Sequence, residues 1–430
     1  MCKTPTLVIR YGTILDPESG AERRADLLIR NGKIHRIADS IPSNSKHVYD
    51  ASNLMISPGW MDMHVHLREP GYEYKETIET GCRAAAFGGF TAVACMPNTN
   101  PPIHTSDVVE FVIERARDFP VEVYPIACVS KGREGRQLAE MGQLADAGAV
   151  AFSDDGAPVQ SSGLMRRALE YASMVERPVI NHMEDLTLGP KGHMHEGAVS
   201  ARLGVPPVPA LSEEVMVARD LLIAEYTGGH LHVAHITMAK SVDMIRQAKA
   251  RGINVTAETC PHHFVLTDEA VETTAFSTNV KMHPPLRTRA DVAAIKEGLK
   301  DGTIDAICTD HAPHAAHEKE VEFVAAPDGI IGLETAWGLI GKHLIASGVL
   351  TVAEAVRCLT VAPRRILGLP AKSIQEGEEA NLTVFDVSSH WTFGSQHIRS
   401  KSRNTPFVGA EMVGRAHAIY NRGRFVKNAP

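Results

Sequence analysis

Two histidines stand one residue apart in the stretch GWMDMHVHLREPG at residues 59–71, and an arginine follows two positions beyond the second. In an extended strand, residues i and i+2 point to the same face, so His64 and His66 project together. Paired imidazoles suit a divalent metal ion, and the Arg68 guanidinium at the same rim suits an anion held beside that ion. Ionisable residues end other apolar runs as well. Asp154 and Asp155 follow AVAFS, His182 follows PVIN, and His235 follows LHVA. His262 and His263 follow TAETCP, and Asp310 and His311 follow DAICT. Any one of these is weak: an isolated H-x-H recurs by chance, and Asp-Asp-Gly is usually a turn. Together they end at least five of eight apolar runs, which would be costly to bury without a ligand. Imidazoles and carboxylates in such company are the donor set of zinc or a similar divalent ion.

The elements that must position these residues are legible in outline. Between residues 59 and 368 the chain alternates eight short apolar runs with stretches that contain helix candidates, such as TSDVVEFVIERARDF at 105–119. That alternation predicts an α/β domain with a parallel sheet, and its count suits closure into a (β/α)8 TIM-like barrel. In such barrels, catalytic groups gather at the carboxyl ends of the strands. No G-x-G-x-x-G follows any run, so the dinucleotide-binding open sheet lacks its fingerprint. The two ends of the chain differ from the middle. Hairpin-like strands broken at Gly or Asn-Gly occupy residues 1–58 and return at 369–430. A small composite β domain built from both termini is therefore expected, with the catalytic barrel at 59–368 inserted.

Whole-chain properties narrow the function classes. At 430 residues, 44% hydrophobic and 22% charged, the sequence is that of an ordinary globular protein. A formal charge of −7 offers no broad basic surface for nucleic acid or anionic membrane. The seven cysteines are scattered without a C-x-x-C pair, so neither a disulfide framework nor a thiolate zinc site is expected. A reducing cytosol fits them, and the absence of an apolar run of membrane-spanning length leads to the expectation of a cytoplasmic enzyme.

The motifs DMHVHLREPG, MPNTNP, FSDDG, HMED, HVAHIT, KMHPPLR and TDHAPH, in that order, closely resemble the bacterial class I dihydroorotases of the amidohydrolase superfamily. The resemblance extends from about residue 7 to residue 425. It implies a metal-bearing (β/α)8 hydrolase barrel with a small composite β-sandwich domain. It also implies the reversible cyclisation of N-carbamoyl-L-aspartate to (S)-dihydroorotate, the third step of pyrimidine synthesis. Carried over by position, His64, His66 and Asp310 would hold one zinc ion, and His182 and His235 a second. Many amidohydrolases bridge two metals with a carbamylated lysine, but AVAFSDDG contains none. Asp155 matches the family's bridging aspartate, with Asp154 as the alternative. Asp310 would also act as general base and acid. The substrate would meet His66, Arg68, Asn98, His283, His314, Asp328 and Gly329, with Arg68, Asn98 and His314 on its carboxylate.

Two positions depart from the family pattern. His283 stands where asparagine is common, and Asp328 where phenylalanine is common. An aspartate beside an anionic substrate is unfavourable unless only its backbone is used. The segment 315–328 is expected to be a mobile rim loop. A homodimer or larger homo-oligomer is expected, and an aspartate transcarbamoylase complex is a further partner that the resemblance suggests. The competing functions are another cyclic amidase, such as a hydantoinase or allantoinase, and a non-catalytic dihydroorotase-like subunit. The first usually keeps the bridging lysine. The second would have lost metal ligands, whereas all six candidates are present here.

Overall fold

A computed structural model describes residues 6–42, 47–189 and 192–428. The central part of the chain forms two arcs of parallel strand. Trp60–Val65, Phe90–Cys95 and Glu122–Pro125 make one arc, and Val179–Asn181, Leu231–Val233, Val255–Thr259 and Ala306–Ile307 make the other. Single bridges extend both arcs. Ala127 pairs with Phe152 and Phe152 with Val179 at one edge, and Val65 pairs with His311 at the other. The strands Trp60–Val65 and Phe90–Cys95 are buried along their whole length, as strands covered on both faces must be, which is why they read as mainly apolar runs without alternation.

Helices cover the outside of these arcs and are started by local sequence. Thr77 caps Ile78–Gly88 by accepting from the Thr80 amide, and Thr288 caps Arg289–Lys300 in a reciprocal box with Asp291. The stretch 105–119 forms a shorter helix, Ser106–Arg115, after which the chain turns into the next strand. His262 and His263 do not end a strand as the sequence suggested. The strand stops at Thr259, and Pro261 opens the short helix Pro261–Val265 that carries both histidines.

Strands from both ends of the chain pair in one continuous sheet of eight strands rather than two separately hydrogen-bonded layers. Met55–Pro58 is the seam: it pairs parallel with Leu7–Leu15 and antiparallel with Leu382–Thr392. The N-terminal and C-terminal strands are thus stitched together just before the chain enters Trp60–Val65. A segment between Leu382–Thr392 and Glu411–Asn421 leaves this sheet and reaches the central domain, where the Ser400 and Lys401 amides donate to Glu334 and Glu76. No helix among the described residues is long and apolar enough to cross a membrane.

Candidate metal centre and substrate cleft

His64, His66, Asp155, His182, His235 and Asp310 converge from five separate segments, and all are buried. Asp155 lies at their centre. Its Oδ2 is 3.5 Å from His64 Nε2 and 3.6 Å from His66 Nε2, while its Oδ1 is 3.7 Å from His182 Nδ1 and 3.4 Å from His235 Nε2. Each carboxylate oxygen therefore faces two imidazoles. Asp154 turns the other way and accepts from the Ser130 amide and hydroxyl. Asp310 completes the group, with Oδ1 2.9 Å from His66 Nε2 and 3.6 Å from His64 Nε2.

The outer nitrogens of His64, His66 and His182 are already committed, while His235 Nδ1 is buried without a hydrogen-bond partner. His64 Nδ1 donates to Glu258 Oε1 at 2.6 Å, and His66 Nδ1 donates to Asn98 Oδ1 at 2.8 Å. His182 Nε2 lies 3.3 Å from Glu184 Oε2. With the outer nitrogen donating, the inner one presents a lone pair; those of His64 and His66 then face the oxygens of Asp155 and Asp310 at 2.9 to 3.6 Å, while His182 Nδ1 and His235 Nε2 face each other at 3.0 Å. His64 Nε2 and Asp155 Oδ1 are buried without any hydrogen-bond partner. Such an arrangement is repulsive unless a cation lies within it, so the donor set fits a divalent ion. The titration behaviour agrees. Burial would discharge His64, but Asp155, Glu258 and Asp310 outweigh it and raise its affinity for positive charge well above normal. Burial would likewise raise Asp155 and Asp310, yet the surrounding imidazoles hold both below the ordinary carboxylate value.

Backbone geometry at this centre is unusual. Arg68, His235 and Asp310 have φ of 63°, 30° and 45°, a region that non-glycine residues enter at an energetic cost and that clusters at functional sites. Asp62 helps to fix it. Its buried carboxylate accepts from the His64 amide at 3.1 Å and the Thr309 amide at 3.1 Å, tying the strand of His64 to the residue before Asp310. Burial pushes the Asp62 carboxyl up to about 7.

A cleft of about 290 Å³ opens beside the cluster, and Arg68, Asn98, His283, His314, Asp328 and Gly329 all line it. Arg68 is held by donating Nε to Pro313 O at 3.1 Å. Burial lowers its pKa to about 10, so it stays cationic at neutral pH. Asn98 uses its oxygen on His66, which leaves its amide N–H groups for a ligand. His314 is fully engaged: Nε2 donates to Asp328 O at 2.8 Å, and Nδ1 faces Lys75 Nζ at 3.4 Å. Burial, then Arg68 and Lys75, push its pKa far down, so the ring is neutral. Asp328 presents its backbone, and its partly exposed carboxylate lies 4.0 Å from Lys281 Nζ. His283 donates Nε2 to Glu184 Oε2 at 2.6 Å and stacks on His182 at 5.3 Å between ring centroids.

The sequence reading missed Asp62, Glu184 and Glu258. Asp62 and Glu258 had a faint signal, a lone acid within a mainly apolar run, and Glu184 stood beside Asp185 at the end of PVINHMED. His311, singled out beside Asp310, points away from the cleft toward Glu76, 3.3 Å from its Oε2. His262 and His263 are also absent from the cleft lining; His263 Nε2 donates to Pro284 O at 3.1 Å. The rim segment is pinned rather than free. Lys281 Nζ donates to Val324 O and Ala326 O, and Lys319 Nζ to Pro327 O and Gly329 O. The apolar helix beyond it begins at Ala336.

Comparisons with known proteins bear on this site. A family model described as Dihydro-orotase-like matches residues 53–241. A protein named Dihydroorotase from Syntrophus aciditrophicus (strain SB) is 50% identical over 424 residues, covering 98% of this chain and 99% of that one. Another of that name, from Pelotomaculum thermopropionicum, is 51% identical over 420 residues, covering 98% of each. Among solved structures, the L-hydantoinase (dihydropyrimidinase) from Arthrobacter aurescens superposes with a TM-score of 0.86. It covers 98% of this chain and 96% of that one at 23% identity, a likeness of fold alone.

Proposed function

The chain belongs to the dihydroorotase family, and from that premise we propose that its cleft interconverts N-carbamoyl-L-aspartate and (S)-dihydroorotate with water as the other product of cyclisation. It is a metal-binding hydrolase of a cyclic amide and serves pyrimidine biosynthesis. The observation that carries the substrate reading is a buried cationic Arg68, with the Asn98 amide, on the same cleft as the six-residue donor cluster. Dihydroorotate bears a carboxylate for such a pair, and hydantoin and allantoin do not.

In this reading His64, His66 and Asp310 hold one ion and His182 and His235 a second, with Asp155 between them. The ion proposed is zinc, one or two per chain, on the strength of an imidazole-rich donor set. Such an ion supplies Lewis acidity to the scissile carbonyl and lowers the pKa of water. The chain's own residues do the rest. Arg68 and Asn98 bind the α-carboxylate and so fix the ring's position. Asp310 takes the proton from the attacking water and returns it to the leaving ring nitrogen as the C–N bond breaks. His314, the Asp328 backbone and Gly329 form the wall opposite, and His283 offers the nitrogen left over from its bond to Glu184.

The two strand arcs are read as one (β/α)8 barrel spanning 59–368, supported by the single bridges at both edges, with 1–58 and 369–430 as the composite β domain. The six described free, buried cysteines suit a cytoplasmic enzyme. Self-association and docking to an aspartate transcarbamoylase rest on the resemblance alone.

The test is an assay of purified protein on L-dihydroorotate, hydantoin and allantoin, with metal content measured on the same sample. Turnover of dihydroorotate that chelation abolishes and zinc restores is expected. Preference for hydantoin or allantoin would assign the cleft to another cyclic amidase, and inactivity of metal-loaded protein would favour a non-catalytic subunit.

A further inference from the structure

The stretch REPGYEYK carries Arg68 and, seven positions on, Lys75. Two turns in succession link them: the Tyr72 amide donates to Arg68 O at 3.0 Å, and the Lys75 amide donates to Tyr72 O at 2.9 Å. The Lys75 side chain is 13% exposed, and its ammonium lies 5.5 Å from the ring centroids of both Tyr72 and Tyr74, whose π faces attract a cation. From there Nζ donates to Glu318 Oε1 at 2.8 Å and to His314 Nδ1 at 3.4 Å.

An ammonium has donors only, so the ring nitrogen that faces it must present a lone pair. Burial, with Arg68, Lys75 and Lys319, keeps the His314 ring neutral, and a neutral ring carries one N–H proton. That proton therefore sits on Nε2. Two groups compete for Nε2: Asp328 O at 2.8 Å, which can only accept, and Arg68 Nη2 at 3.4 Å, which can only donate. A protonated Nε2 satisfies the first and turns the second away, which leaves Nη2 without a bond to the ring on an arginine that lines the cleft. Without Lys75 the balance reverses. Glu318 Oε2, 3.7 Å from Nδ1, would draw the proton to Nδ1, and a bare Nε2 would accept from Arg68 Nη2 in place of a ligand.

We propose that Lys75 is a positioning residue: it fixes the proton of His314 on Nε2 and so keeps the Arg68 guanidinium free for the substrate carboxylate. The use of Arg68 rests on the dihydroorotate reading, whereas the place of the proton does not, and the two are measured separately. Nitrogen-15 shifts of the full-length, zinc-loaded protein with labelled histidine and no substrate, with His314→Gln to identify the ring's signals, should show Nδ1 bare and Nε2 protonated. In Lys75→Met the proton should move to Nδ1. That variant should also raise the KM for dihydroorotate about tenfold, since one charge-assisted bond is worth roughly that factor, and kcat should hold because only uniform binding is lost. Lys75→Arg keeps a cationic donor and should restore both the shifts and the KM. A protonated Nδ1 in the wild type would overturn the assignment whether or not the variants fold. So would a Lys75→Met protein, shown folded by its melting curve, with Nδ1 still bare or with KM unchanged. Wild-type protein that gives the expected shifts yet does not turn over dihydroorotate would overturn the substrate reading and leave the place of the proton standing.

Discussion

His64 and His66 each give one ring nitrogen to an orienting partner, Glu258 at 2.6 Å and Asn98 at 2.8 Å, and turn the other inward. Partners of this kind fix the tautomer and raise the basicity of the ligand, so Glu258→Gln is expected to weaken metal affinity about 10–100-fold while the six inward groups stay in place. Competition with a chelator reads this directly, and wild-type affinity in the variant would reduce Glu258 to a buried ion pair. Asp155→Ala should lose metal far more than Asp154→Ala, because only Asp155 faces the four imidazoles; the opposite order would move the bridge to Asp154. Asp310→Asn keeps an oxygen donor but removes the base. It should retain much of the metal and lose about 10²–10⁴ in kcat, measured with metal content on one sample. Near-normal kcat would leave Asp310 a ligand and nothing more.

At the scale of elements, the segment between His314 and Gly329 is held by ammonium groups together with the packing of Phe323 against Val280 and Leu286. Four donor bonds from Lys281 and Lys319 reach the backbone carbonyls of residues 324–329. Closure over substrate therefore has to start from a pinned segment. Hydrogen exchange at 325–329 should be slow even without substrate and should quicken in Lys319→Met; equal rates in both proteins would show that these bonds do not hold the rim. Gly329 is a second constraint. Its φ is 149°, and a Cβ there would sit 2.7 Å from Ala312 O. Gly329→Ala should cost about 1–3 kcal/mol of stability as backbone strain and raise KM, since Gly329 lines the cleft.

Across the whole molecule, the segment between Leu382–Thr392 and Glu411–Asn421 reaches the cleft. Asn404, on that segment, donates to Ala312 O at 2.9 Å and Gly329 O at 3.0 Å and accepts from the His314 amide at 3.0 Å. Nearby, buried Glu76 gathers His311, the Ser400 and Thr80 hydroxyls and the Lys401 amide. Burial would raise its carboxyl, but His311 and these donors outweigh it and hold the folded value below the ordinary 4.5. A depressed carboxyl stabilises the fold at pH above the unfolded value and loses that contribution as pH falls through 4.5 and below. Glu76→Gln should therefore melt lower at neutral pH and show a shallower loss of stability on acidification. Parallel melting curves for the two proteins from pH 7 to acid would sink this account.

The residue types, their positions after apolar runs and the α/β alternation were legible in the sequence because they are local: periodicity, turn chemistry and strand-end placement each involve a few neighbouring residues. Family membership followed from ordered motifs for the same reason. Tertiary structure decided what depends on groups remote in the chain. His64 finds Glu258 at a separation of 194 residues, and the His314 amide finds Asn404 at 90. FSDDG contains two adjacent acids, and neither periodicity nor composition says which faces the imidazoles. Only the fold sends Asp154 to Ser130 and leaves Asp155 at the centre. The same holds for His283, whose replacement of asparagine looked like a substrate contact alone until Glu184 stood beside it. It holds too for Arg364, which in sequence is one of two adjacent arginines on a short helix and in the fold is a buried cation 3.7 Å from Glu122.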